Sequence, residues 1–88
     1  MVQRDLEITN ERGLHARAAA RFVKLVGQFK SAVTVSKDGN DVAGDSIMGL
    51  MMLAAAAGST ITVRIEGVDE VAAMKALAAL VAGGFDEV

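Results

Sequence analysis

The residues best suited to chemistry in this chain are His15 and Arg17, in the segment Gly13-Leu14-His15-Ala16-Arg17. The pattern around them predicts that His15 opens a helix. A helix start offers unbonded N–H groups and the positive end of the backbone dipole, so it receives an anion. The same field favours a neutral imidazole, whose ring nitrogen lone pair can act as a nucleophile. A guanidinium two residues on can fork onto phosphate oxygens. Histidine, helix start and arginine together suit a phosphohistidine. On spacing alone, an ordinary solvated histidine stays open as the alternative. A hydrolytic triad has little support, because the nearest carboxylate in sequence is Glu11 and no Ser or Thr lies close by. A stoichiometric carrier needs less machinery, since its partner supplies the rest.

Ser46 is the second candidate. It precedes Ile47-Met48-Gly49-Leu50-Met51-Met52-Leu53, which is apolar almost all round a helical wheel. Leu50 and Leu53 are expected to face the core, leaving Ile47, Met48 and Met51 at least partly exposed. Methionine is adaptable and recurs on docking surfaces; loose core packing is the other reading. Ser46 fits a helix cap. It also fits a regulatory phosphorylation site, where new negative charge would disfavour an acidic partner.

The composition narrows the class. The chain has 88 residues, 52% of them hydrophobic, and no Cys, Pro, Trp or Tyr. That length suits one domain spanning residues 1–88, with a modest core. A disulfide framework and a thiolate metal site are excluded, and one histidine cannot build a histidine-rich metal site. No metal or cofactor is expected. The opening Met1-Val2-Gln3-Arg4-Asp5 has no signal-peptide pattern, and the longest apolar stretch, Ile47 to Ala57, falls short of a membrane span. A cytoplasmic, monomeric domain off the membrane is expected. The net charge of −2 hides a segregation. Residues 12 to 37 hold Arg12, Arg17, Arg21, Lys24, Lys30 and Lys37 with no Asp or Glu, and His15 lies among them. Such a distribution sets up a potential gradient across the surface.

These residues need elements to position them. Val2–Thr9 reads as a strand, with Arg4 interrupting its apolar parity. Ala16 to about Phe29 reads as a helix with Ala19, Phe22, Val26 and Phe29 inward, and Arg17, Arg21, Lys24 and Gln28 outward. Ser31–Lys37 and a short strand near Asp41–Gly44 flank an Asp38-Gly39 hairpin turn. Ser46 is expected to cap a short helix running to about Leu53 or beyond, with Gly58 as a plausible stop. Thr60–Glu66 is a strand with Ile61, Val63 and Ile65 on one face. Asp69 is expected to cap a last helix, Glu70–Ala82, whose apolar stripe is Val71, Met74, Leu77 or Ala78, and Val81. The fold class is α+β: an open-faced sandwich of a mainly antiparallel sheet with helices on one face. An RNA-binding sheet domain shares part of this order. Its strands would carry exposed aromatics, whereas Phe22, Phe29 and Phe85 all lie outside the strands, so no nucleic-acid partner is expected.

The segment Gly13-Leu14-His15-Ala16-Arg17-Ala18-Ala19-Ala20 resembles the active-site motif of the histidine-containing phosphocarrier family, HPr, of the bacterial phosphotransferase system. Gly44-Asp45-Ser46-Ile47-Met48-Gly49-Leu50-Met51-Met52-Leu53 is similar to that family's regulatory motif. The resemblance implies a four-stranded antiparallel sheet (βαββαβα) under three helices. It implies that His15 takes a phosphoryl group on Nδ1 from phospho-enzyme I and passes it to a histidine of an enzyme IIA, with Arg17 steadying it. This is a covalent carrier rather than a stand-alone catalyst. Ala20, Arg21, Lys24, Ile47, Met48 and Met51 match the family's docking surface, and Ser46 the target of an HPr kinase/phosphorylase. A regulatory binding module acting through Met48 and Met51 is the alternative function. Ala18 stands where many members carry Pro, and Asp45 where a basic residue is frequent. Gly84-Phe85-Asp86-Glu87 resembles the nitrogen-related branch, NPr.

Overall fold

The computed structural model describes residues 1–86. Glu87 lies outside them, and with it the end of the segment that resembles the nitrogen-related branch. The strands are β1 (Val2–Glu7), β2 (Ala32–Lys37), β3 (Asn40–Ala43) and β4 (Thr60–Glu66). The helices are α1 (Ala16–Val26), α2 (Ile47–Met52) and α3 (Glu70–Ala82), followed by a 3₁₀ turn at Gly84–Asp86. The sheet order is β1-β4-β2-β3, with every neighbouring pair antiparallel. β4 sits between β1 and β2, so those two strands run parallel without touching, and α1 makes the crossover between them. This is the expected open-faced α+β sandwich.

Alternation builds the core. Leu6 stands opposite Ile61, while Val33 and Val35 stand opposite Ile65 and Val63. Those six side chains are buried with Ala18, Ala19, Phe22, Leu50, Leu77 and Phe85. The other sheet face is polar, with Thr62 Oγ1 donating to Asp5 at 2.7 Å and Arg64 pairing with Asp41 at 3.2 Å. The Asp38-Gly39 turn has positive φ at both residues, 52° and 83°, the geometry that suits the right-handed twist of a tight hairpin. Among the described residues no helix is long and apolar enough to cross a membrane.

Four expectations are corrected by tertiary contacts. α1 stops at Val26, and Gln28 and Phe29 continue it only as tighter bonds to Leu25 and Val26. α2 ends at Met52 with Leu53 as its C-cap, near the expected end at Leu53, but Gly58 is not its stop, because Ala54 already turns left-handed at φ 52°. Gly58 instead donates to the Ile8 carbonyl at 2.8 Å, leading the chain into β4. Asp69 precedes α3 without capping it by its side chain. Its carboxylate accepts from the Lys30 amide at 2.8 Å and from Ser31 Oγ at 2.5 Å, which ties the start of α3 to the approach of β2. Val71 is 71% exposed, because the inward face of α3 is carried by Ala73, Met74, Leu77 and Val81.

Candidate phosphoryl site at the start of α1

A turn from Asn10 to Gly13 delivers the chain to α1. Asn10 is buried and clasps the turn twice: the Gly13 amide donates to its carbonyl at 3.1 Å, and its Nδ2 donates to the Gly13 carbonyl at 2.8 Å. Gly13 adopts φ 64°, and a Cβ there would collide with the Ala55 carbonyl oxygen. Only glycine lets the turn approach the segment after α2 so closely. The next amide, Leu14, donates to that same carbonyl at 2.9 Å, and the Leu14 side chain is buried. His15 is thereby fixed between an anchored leucine and the first turn of α1.

His15 is half-buried and is the N-cap of α1, with extended backbone, φ −78° and ψ 179°. Its Nδ1 accepts from the Arg17 amide at 3.4 Å. That contact is longer than an ordinary N–H···N or N–H···O bond, so it orients the ring more than it holds it. A nitrogen that accepts an N–H turns its lone pair to the donor, so Nδ1 faces the helix start. Arg17 itself is exposed. A hollow of about 220 Å³ lies beside the ring, lined by Arg12, Leu14, His15 and Ala54 to Ala56. A larger one of about 480 Å³ borders the same turn but is lined by Thr9 to Arg12 and Ala82 to Gly84, away from the imidazole. Among the described residues no group of His, Asp or Glu side chains could hold a metal.

The second candidate region is the start of α2. Ser46 is half-buried and caps the helix, its Oγ accepting from the Gly49 amide at 3.0 Å. Leu50 and Leu53 are buried, while Ile47 is 40%, Met48 74% and Met51 43% exposed. Met52, at 80%, joins this apolar surface. Sequence reasoning missed it because all-round apolarity leaves the direction of the last helical residue open.

α1 packs beside α2. Ala20 and Lys24 are exposed on α1. Arg21 is not simply solvated: it is half-buried and its Nη1 donates to the Phe85 carbonyl at 2.5 Å. That bond pins the C-terminal turn and seats Phe85 in the core. No local pattern signals it, because the partners are 64 positions apart.

Residues 2–83 match the family described as "PTS HPr component phosphorylation site". The chain belongs to the HPr family. HPr of Cupriavidus necator is 53% identical over 87 residues, spanning 99% of this chain and 98% of its own. HPr of Neisseria meningitidis serogroup A is 51% identical over the same shares. The crystal structure of HPr-C-His from Thermoanaerobacter tengcongensis superposes with a TM-score of 0.95 at 42% identity, covering 100% of this chain and 99% of that one. The general function follows: this chain is an HPr-type phosphocarrier of the phosphotransferase system. The HPr fold thus frames the helix start that carries His15.

Proposed function

We propose that His15 is the residue that carries the phosphoryl group, taken from phospho-enzyme I and passed to a histidine of an enzyme IIA. The observation that supports this best is the direction of Nδ1, which faces the first amides of α1 from a half-buried ring. In the transfer, the Nδ1 lone pair forms the new N–P bond as the donor's N–P bond breaks. The bonding pair returns to the donor imidazole, and the Nε2 proton of His15 stays on the ring or passes to water. The oxygens then lie near the Arg17 amide, where the helix dipole favours negative charge. The Arg17 guanidinium adds charge-assisted hydrogen bonds.

Docking is assigned to Ala20, Arg21, Lys24, Ile47, Met48 and Met51, with Met52 added by its exposure. Arg21 serves with the N–H groups that Phe85 does not occupy. A partner with apolar and acidic patches fits this surface. Ser46 is assigned to regulation by an HPr kinase/phosphorylase. Its Oγ already accepts a helix amide, so a phosphate there keeps the cap while placing charge beside Met48.

Incubation with phosphoenolpyruvate and enzyme I tests the central assignment. An acid-labile, base-stable adduct is expected on the wild type and none on His15→Ala. No wild-type adduct, or an undiminished one in the variant, overturns it. The wide exposure of Met48 also favours a second reading, a regulatory binding module that does not need phosphotransfer. Target binding that ignores His15→Ala but collapses with Met48→Asp would select that reading.

A further inference from the structure

We propose that Arg12 is a second phosphoryl-binding residue, reaching the group on His15 from the turn that precedes α1. This rests on His15 as the phosphorylated residue and extends it to a side chain that no feature of the two motifs includes. Arg12 and His15 line the same hollow of about 220 Å³, and the other walls are Leu14 and the alanines at 54 to 56. Among the described residues, no carboxylate lines that hollow. The wall carbonyls of Ala55 and Ala56 are already turned to donors. Ala55 accepts from the Leu14 amide at 2.9 Å, and Ala56 from the Ser59 amide at 3.0 Å. Among the described residues, Arg12 and the imidazole are the polar side chains at the hollow.

The backbone holds Arg12 in place. It sits inside the turn that Asn10 clasps twice, next to Gly13, whose close approach to Ala55 fixes the turn against the segment after α2. A guanidinium on a rigid turn loses less freedom when it binds than one on a loose loop. Arg17 belongs to the first turn of α1 and Arg12 to the turn before it. The phosphoryl group, with three oxygens and close to two negative charges, has sites for both.

A test free of docking partners uses phosphoramidate as donor. The Nδ1 lone pair forms the N–P bond while the donor's P–N bond breaks, and ammonia leaves with the bonding pair. Phosphorus NMR then follows the titration of the phosphoryl group on the isolated protein. A nearby cation favours the dianion, so Arg12→Ala is expected to raise the phosphoryl pKa by about half a unit. It is also expected to slow acceptance from phospho-enzyme I about tenfold. Arg12→Lys keeps the charge without the fork and is expected to recover the titration better than the rate. Lys75→Ala is the control: an exposed cation on α3 that lines neither hollow. It removes the same charge and leaves both readings unchanged. If Arg12→Ala titrates and reacts like Lys75→Ala, the assignment is overturned. Where phosphoramidate labels His15 but phospho-enzyme I does not, the carrier assignment fails and the titration still decides Arg12. If neither donor labels His15, both fall.

Discussion

The starts of α1 and α2 use the same device for opposite ends. Each is capped by one side chain, His15 at 3.4 Å from the Arg17 amide and Ser46 at 3.0 Å from the Gly49 amide. Serine is among the strong N-caps and histidine is not. The weak cap stands on the well-supported helix, since α1 runs for 11 residues and buries Ala18, Ala19, Phe22 and Val26. The strong cap stands on α2, which has six residues and buries Leu50 alone. A helix that needs little from its cap can give that position to chemistry. A short helix, whose methionines are exposed and add little to the core, cannot.

Replacing His15 by Ser should split function from stability most sharply. Phosphoryl acceptance is lost outright, while the better cap adds about 0.5–1 kcal/mol. Urea unfolding would show a higher midpoint at unchanged slope. A lower midpoint would mean that the 3.4 Å contact supports α1 more than its length indicates.

The next largest effect falls on the other helix. Leu50→Ala should cost about 2–5 kcal/mol, because the side chain is fully buried and is the one anchor of α2. Binding of an enzyme I fragment should weaken with it as the methionine surface loses its frame. Unaltered binding in a destabilised variant would show that Ile47, Met48 and Met51 hold their places without the helix.

Ser46→Ala is smaller, about 1 kcal/mol or a few degrees in Tm for a domain of this size. Ser46→Asp should keep the cap and the stability while weakening docking to an acidic partner. If Ser46→Ala costs nothing, the contrast between the two caps is broken.

Much of this contrast is legible in the amino-acid sequence. The spans Thr60–Glu66 and Glu70–Ala82 follow from alternation, an acidic helix start and a glycine stop, all of them local signals. His15 and Ser46 as helix starts are local too. What local pattern does not carry is how distant residues spend their polar groups. The bond from Arg21 to Phe85, the grip of Asn10 on the turn before His15 and the left-handed Ala54 that ends α2 each depend on a partner brought in by the fold. Arg12 belongs with these. In sequence it is one more cation in a basic stretch; the fold sets it at the hollow beside the imidazole.

At the start of α3 the residue in the cap position is used elsewhere. Asp69 leaves α3 without a side-chain cap and serves Ser31 and the Lys30 amide, whose hydrogen bonds hold its carboxyl below the usual carboxylate range. Glu70 is also held low, by the Met1 α-amino group at 2.9 Å and by the Gly67 amide. A carboxylate whose folded pKa is depressed contributes stability that is fully present above its unfolded value. That contribution is lost as pH falls through the folded value. Thermal melts of the wild type should therefore be flat near neutrality and fall once pH drops below the ordinary carboxylate range. Asp69→Asn keeps an accepting oxygen but no charge, so its melts should lie below wild type at neutral pH and converge with it in acid. The effect is expected to be the smallest of the series, because the group is solvent-accessible and screened. Parallel curves, with the gap preserved in acid, would show that Asp69 acts through shape alone. The acid limb would then belong to Glu70 and to Asp41, which Ser36 and Arg64 hold low on the polar face of the sheet.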